Sequence, residues 1–184
     1  MATINVPTRE NVNEANQAIF DQLEGGLGFV PNLFATFAHS DTALGNYLTF
    51  QNAKTSLRAK EKEVVNLVVS QVNECAYCLA AHTALGKMNG FTDEQLLALR
   101  AGRSVGDAKY DALAAFVRAT AVNRGKPGVD ATDEFLAAGY TQANLVDVIV
   151  LIGDKIVTNY LHGVTQVPVD FPAAPALDAA PVAA

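Results

Sequence analysis

The amino-acid sequence predicts an all-α fold, and three observations support this. Apolar residues recur at helical spacing in one segment after another, glycines stand at the ends of these segments, and no stretch alternates apolar and polar residues as a half-buried strand does. At 184 residues the chain is expected to hold one helical domain, residues 1–166, followed by a C-terminal tail rich in proline and alanine, residues 167–184.

Three elements are predicted in the N-terminal third of the chain. Thr8 is expected to cap a first helix over residues 9–24, which the glycine pair directly after it would stop. A short segment over residues 32–38 follows a proline. The next helix is expected to start at Ser40 or Asp41.

Residues 59–73 give two conflicting signals. Valine favours strands, but the valines of this segment recur at helical spacing and good helix formers precede them, so a helix is predicted. Asn73 is expected to cap the following helix, residues 74–88. The two helices would then form an antiparallel hairpin with its turn near residue 73.

Four further helices are predicted in the C-terminal half. Thr92 opens a capping box in front of a short helix that ends near Arg100. Longer helices are expected over residues 107–124 and 141–161, with a short one over 132–138 between them. The last helix carries an apolar stripe made of Leu145, Ile149, Ile152 and Ile156.

Composition and charge exclude several classes of function. The formal net charge is −6, and no block of lysine and arginine is present, so neither a nucleic-acid surface nor an anionic membrane surface is an expected partner. No apolar run reaches the roughly 18 residues of a membrane span. The N-terminus lacks the basic start and apolar core of a signal peptide, so a cytoplasmic location is expected.

Chemistry is concentrated in one constellation around the two cysteines. Cys75, Cys78 and His82 are spaced i, i+3 and i+7, which puts them on one stripe of a helix. With Asn73 as the cap, Cys75 would occupy the second helical position, in a first turn that can distort to allow a disulfide. The positive end of the helix dipole would favour the thiolate, the form that attacks a peroxide or a disulfide.

Glu63 joins this group through the predicted hairpin. If the chain reverses near residue 73, residues whose numbers sum to about 145 lie opposite each other, and Glu63 then faces His82. Burial among valines would raise the pKa of this carboxyl group towards that of a useful proton acceptor. His82 is expected to carry a proton between Glu63 and Cys78, directly or through one water.

Other interpretations of the same residues stay open at this point. A lone C-x-x-C can be half of a zinc site, although closed zinc sites use four ligands and the other histidines, His39 and His162, are isolated. The cysteines can also be inert core residues. Tyr77, between them, is expected to be a packing residue.

The constellation resembles the core motif of the alkylhydroperoxidase D (AhpD)-like group within the carboxymuconolactone decarboxylase superfamily. That motif is Glu, eleven residues, Cys-x-x-Cys, three residues, His, and all its spacings are met here. Residues 29–34, FVPNLF, and 167–172, VPVDFP, look like the segments that flank the core in the peroxidase-related branch. The resemblance extends over roughly residues 25–172.

The resemblance implies a fold and an activity. It implies an AhpD-like helical bundle that assembles as a homotrimer or homohexamer, with the C-x-x-C motif on a central helical hairpin. Cys78 would be the peroxidatic cysteine, Cys75 the resolving one, and Glu63 with His82 the proton relay. The partners would be a small hydroperoxide and an external dithiol reductant such as a lipoylated protein; no metal and no organic cofactor would be needed.

One departure from the motif and two alternatives belong with this hypothesis. AhpD proper has a second histidine between its cysteines where this chain has Tyr77, so one proton-handling group is missing. A lyase of the carboxymuconolactone decarboxylase type is one alternative, although that branch lacks the cysteine pair. A general thiol–disulfide oxidoreductase without a peroxidase role is another, and a non-enzymatic module, zinc-binding or structural, is a third.

Overall fold

The structure, a computed structural model, describes residues 4–177, and the regular secondary structure in that range is helical. A short 3-10 turn, Arg9–Asn11, precedes nine α-helices, and no strand is found among the described residues. The predicted all-α fold is therefore confirmed. The helices are α1 (Glu14–Leu27), α2 (Asn32–Phe37), α3 (Ala43–Gln51), α4 (Ala59–Val72), α5 (Ala76–Met88), α6 (Asp93–Ala101), α7 (Ala108–Val122), α8 (Val129–Ala137) and α9 (Gln142–Thr165).

Helix α4 is the centre of the fold. It packs against α5, α6, α7 and α9, so most of its circumference is covered by protein. Its valines Val64, Val65, Val68 and Val69 are fully buried. Burying a valine contributes about 1.5–3 kcal/mol, whereas its lower helix propensity costs less than about 1 kcal/mol. This difference explains why a valine-rich segment folds as the helix that was predicted.

The predicted central hairpin of α4 and α5 is confirmed, but its turn differs from the prediction. Asn73 closes α4 and does not cap α5. Glu74 adopts a left-handed conformation with φ of 53°, and Cys75 is the N-cap of α5. The Cys75 sulfur accepts a hydrogen bond from the Cys78 N–H at 3.2 Å. The first cysteine therefore stands one position outside the helix, where its backbone is not held in helical geometry.

The N-terminal helix is shifted relative to the prediction. Thr8 caps only the 3-10 turn, and Asn13, whose side chain accepts from the Asn16 N–H, caps α1. The helix then continues through the glycine pair at 25 and 26 and ends at Gly28, which has φ of 82°. It stops there because the left-handed conformation occurs at this third glycine and not at the first two.

Helix α9 is rotated relative to its predicted apolar stripe. Ile152 is buried, but Ile149 is 43% exposed. The face turned towards the protein is polar in its second half and consists of Asp154, Lys155, Thr158, Asn159 and His162, all buried. The helix also runs four residues beyond the predicted end at Leu161. No described helix is long and apolar enough to cross a bilayer.

The described part of the predicted tail, residues 167–177, packs on the helical domain. Val167 is almost fully buried, in one cluster with both cysteines. The Asn32 N–H donates to the Asp170 carboxylate at 2.6 Å, and Arg100 donates to the Pro175 carbonyl at 2.6 Å. Val167, the first residue of the predicted tail, therefore belongs to the core. The domain boundary at residue 166 stays a prediction, and residues 178–184 lie outside the described range.

Candidate active site

The two cysteines lie at the turn of the central hairpin and are both buried. Their sulfur atoms are within disulfide-bonding distance, and their Cα atoms are 5.3 Å apart, which is typical of a disulfide. Cys78 lines a cavity of about 390 Å³, whereas Cys75 is not among the described residues that line it. The two sulfur atoms are therefore inequivalent, because only that of Cys78 borders a space that a small molecule can fill.

Glu63 and His82 meet across the hairpin as the residue count predicts. His82 Nδ1 lies 2.9 Å from Glu63 Oε2, and both side chains are buried. The other carboxylate oxygen of Glu63 accepts a hydrogen bond from the Asn66 amide at 3.3 Å. His82 lines the same cavity as Cys78, one helical turn further along α5. The structure thus brings together the carboxylate, the imidazole and one cysteine on a single cavity wall.

The cavity is mainly apolar. Aromatic and aliphatic side chains from α1, the loop after it, α2, α3 and the C-terminal segment form much of its wall, among them Phe29, Phe34, Phe50 and Phe171. Charged groups are confined to α4, α9 and the loop after α3. Such a space suits a small apolar or aromatic molecule whose reactive atom points to Cys78.

Comparison with known proteins relates the chain to a family. The model of the carboxymuconolactone decarboxylase family matches residues 35–121, a range that includes all four motif residues. This match supports a place for the chain in the carboxymuconolactone decarboxylase superfamily. Within it, this chain has the AhpD-like fold and the AhpD core spacing. A search among curated proteins finds no significant match.

Solved structures of AhpD-like proteins superpose on most of the chain. A peroxidase-related protein from Silicibacter sp. TM1040 is 21% identical with a TM-score of 0.79, and 90% of each chain is covered. The alkylhydroperoxidase AhpD core of a peroxidase-related protein from Ralstonia eutropha JMP134 is 16% identical with a TM-score of 0.81 and 92% coverage of each. The debrominase Bmp8 in complex with 2,3,4-tribromopyrrole is 13% identical with a TM-score of 0.75, covering 92% of this chain and 94% of that one.

One residue of the AhpD-like site was missed by the sequence analysis. Lys155, from the middle of α9, places its Nζ 3.2 Å from His82 Nε2 and 3.3 Å from the neighbouring Asp154 carboxylate. Its side chain is only 3% exposed. The signal that points to it is the charged pair Asp154-Lys155 shortly after the apolar run of residues 148–152, because buried charges are rare unless they are paired.

The surroundings of His82 favour its neutral form. Burial lowers the pKa of His82, the Lys155 ammonium lowers it further, and the Glu63 carboxylate opposes both. An ammonium group only donates hydrogen bonds, so Nε2 accepts from Lys155 and the ring proton sits on Nδ1, where it is donated to Glu63. At neutral pH the imidazole is therefore able to take up a proton.

Tyr77, which replaces the second histidine of AhpD proper, has a packing role. Its ring contacts those of His162 and Phe171, and its hydroxyl oxygen accepts a hydrogen bond from the Leu33 N–H at 3.3 Å. Burial raises the pKa of Tyr77 far above its ordinary value, so the phenol stays protonated. Tyr77 forms a wall beside the cysteines and does not exchange protons with His82.

The remaining histidines lie apart from this site. His39 Nε2 is 2.8 Å from the Asn5 carbonyl, and His162 Nε2 is 3.2 Å from the Val167 carbonyl. Over residues 4–177, no three His, Cys, Asp or Glu side chains are arranged to hold a metal ion. The two histidines thus fasten the N-terminal and C-terminal segments to the helical core.

Proposed function

We propose that this AhpD-like protein is a thiol-dependent hydroperoxide reductase. The observation that carries the proposal is the placement of Cys78, which borders an apolar cavity, lies within disulfide reach of Cys75 and shares its cavity wall with His82. A cysteine that meets a substrate, a second cysteine that closes a disulfide and a neutral imidazole are the groups that peroxide reduction by a thiol pair requires.

The reaction follows from these positions. His82 takes the proton of the Cys78 thiol, and the Glu63 carboxylate stabilises the imidazolium that results. The thiolate attacks one oxygen of the hydroperoxide, the O–O bond breaks, and the alkoxide leaves and takes the proton from the His82 imidazolium to become the alcohol, which returns His82 to its neutral form. Cys78 is then a sulfenic acid, which the Cys75 thiol attacks to form the disulfide and release water. Two electrons have passed from the thiol pair to the peroxide.

The cycle is completed by a reductant outside the chain. An external dithiol returns two electrons to the disulfide, and a dithiol on a narrow arm, such as that of a lipoylated protein, fits access through the cavity, because both cysteines are buried. The apolar wall favours hydroperoxides that carry an apolar or aromatic group. The chain itself supplies every group that these steps use, so the proposal includes no metal or organic cofactor.

We propose that the protein assembles as a homotrimer or homohexamer, with α9 in the interface. Exposed apolar side chains lie along its outer face at spacings of four, seven and three residues, which keep them on one side of a helix: Val146, Val150, Val157 and Tyr160. Val150 also lines the cavity, so a neighbouring copy on this face would border the site. Light scattering of the wild type and of Val157→Lys tests this proposal. It would be contradicted if both proteins had the mass of a monomer.

Reductive dehalogenation is a second candidate activity. A protein of the same fold, Bmp8, is a debrominase and binds 2,3,4-tribromopyrrole, and the aromatic wall of the cavity suits a small halogenated ring. In that reaction the thiol pair would supply two electrons and form the same disulfide. A ring bromine would leave as bromide, and a proton would take its place on the ring carbon. Bromide release from 2,3,4-tribromopyrrole distinguishes this activity from peroxide reduction.

A stopped-flow titration of the reduced protein with tert-butyl hydroperoxide tests the proposed function. Free thiols are counted, and the peptide that contains Cys75 and Cys78 is examined by mass spectrometry. We expect stoichiometric loss of two thiols with an internal disulfide, no reaction in Cys78→Ser, and a trapped sulfenic acid in Cys75→Ser. Thiols that stay reduced under excess peroxide would refute the peroxidase, and activity that survives alkylation of both thiols would indicate the lyase instead.

A further inference from the structure

Both ring nitrogens of His82 are occupied by groups from other helices. Nδ1 lies 2.9 Å from the Glu63 carboxylate on α4, and Nε2 lies 3.2 Å from the Lys155 ammonium on α9. The AhpD core motif supplies the first of these partners and not the second, which is 73 positions away from His82 in the sequence. Lys155 therefore contacts the nitrogen that a relay from Cys78 would have to use.

The charge of Lys155 is held in place by its own neighbours. Asp154 lies 3.3 Å away and is as deeply buried as Lys155. The Asp154 carboxylate in turn faces Tyr47 on α3, whose pKa is raised by burial and by that carboxylate, so that the phenol stays protonated. A lysine held in this way points one donor at Nε2.

We propose that Lys155 is a positioning residue of the redox site, which holds His82 in the neutral form protonated at Nδ1, so that Nε2 carries no proton and accepts that of the Cys78 thiol once the Lys155 hydrogen bond opens. An ammonium group beside Nε2 opposes protonation of the ring by solvent, because two positive charges would then lie about 3 Å apart. The effect of Lys155 on the rate of thiol oxidation rests on the proposed function, whereas its effect on the protonation of His82 does not.

Removing Lys155 and removing the Glu63 charge are expected to shift the pKa of His82 in opposite directions. Glu63 on α4 and Asp154 on α9 favour the imidazolium, and Lys155 disfavours it. Cys78 lies on the same helix as His82, and no group of α6, which also packs on α5, is among the described charges that act on the ring. Removing Lys155 should therefore raise the pH at which His82 titrates, and removing the Glu63 charge should lower it.

Nuclear magnetic resonance of the imidazole nitrogens, followed from about pH 5 to 8, tests this without any peroxide. The three histidines are assigned with His82→Gln. We expect His82 to be neutral and protonated at Nδ1 in the wild type and in Lys155→Arg. Its midpoint should rise by about one pH unit or more in Lys155→Met. Lys62→Met, which removes another cavity lysine whose charge is not among those acting on His82, should leave the midpoint in place.

A second readout separates this inference from the proposed function. The rate at which iodoacetamide alkylates Cys78 in the reduced protein should show the same shift in its pH profile, whether or not the protein reduces peroxides. If Lys155→Met does not fold because Asp154 is left unpaired, the double variant Lys155→Met/Asp154→Asn is compared with Asp154→Asn, so that the difference between their His82 midpoints reports the loss of Lys155 alone. An unchanged His82 midpoint in the folded variant, or proton occupancy at Nε2 in the wild type, would overturn the inference, while failure with peroxide alone would overturn only the proposed function.

Discussion

Replacing Glu63 with glutamine is the sharpest test of the relay, because it removes a charge and little else. Glutamine has nearly the same volume as glutamate. Its side-chain oxygen can still accept the hydrogen bond from His82 Nδ1, which in the wild type lies 2.9 Å from the Glu63 carboxylate. What is lost is the negative charge that stabilises the imidazolium formed when His82 takes the proton of Cys78.

The magnitude follows from the type of hydrogen bond. A hydrogen bond to a charged group contributes about 1.5–3 kcal/mol and a neutral one about 0.5–1.5 kcal/mol, so the difference is about 1–1.5 kcal/mol. Since about 1.4 kcal/mol corresponds to a factor of ten in rate, Glu63→Gln should slow the first oxidation of the thiols about tenfold. His82→Gln removes the base itself and should slow this step by about 100-fold or more.

The assay is the stopped-flow rate of thiol loss with tert-butyl hydroperoxide near neutral pH. Glu61→Gln is a matched control, because Glu61 is buried on the same helix but faces Lys109 and the Arg58 N–H instead of His82. Urea unfolding of each variant shows that the fold is kept. An unchanged rate in Glu63→Gln, or an equal loss in Glu61→Gln, would refute the relay and leave the pair with a structural role.

Three further predictions concern pH, packing and the cavity. Because burial lowers the pKa of His82 below its ordinary value of about 6.5, the unfolded state binds more protons below that pH. The free energy of unfolding, measured in urea, should therefore fall by up to about 1.4 kcal/mol per pH unit as the pH is lowered from about 6.5 to 5, and His82→Gln should remove the His82 part of this dependence and leave that of His162, whose pKa burial also lowers. A Cβ added at Gly86 would lie 2.6 Å from the Leu96 side chain, so Gly86→Ala should cost about 1–3 kcal/mol, and adding Leu96→Val should recover part of it. Phe171 packs on Tyr77 and lines the cavity, so its loss should affect the reaction with bulky substrates most. Phe171→Ala should slow the reaction with cumene hydroperoxide about tenfold and leave the rate with hydrogen peroxide unchanged.

The motif itself could be predicted because its geometry is local. The spacing of Cys75, Cys78 and His82 fixes their common face once the segment is a helix, and a hairpin with a short turn fixes which residue of α4 lies opposite His82. The prediction placed Cys75 two positions too far into the helix. A single left-handed residue, Glu74, moves the start of α5, and a non-glycine residue with positive φ carries no clear sequence signal.

The C-terminal segment shows the opposite case. Its prolines and alanines gave no pattern of a core element, and yet Val167 is buried beside the cysteines. Its position depends on contacts with distant residues, such as the Asn32 and Arg100 hydrogen bonds to its backbone and to Asp170. Contacts between residues 75 to 138 positions apart leave no periodicity in either segment.

The sequence by itself therefore determined the helical class, the central hairpin and the pairing of Glu63 with His82, since helical spacing and a short turn are properties of neighbouring residues. Only the tertiary structure decided which face of α9 turns inward, and with it the presence of Lys155 at His82 Nε2. It also decided that Cys78, and not Cys75, borders the cavity. Both depend on how helices far apart in the chain rotate and pack to bury apolar surface while pairing their buried charges, and no local pattern encodes that rotation.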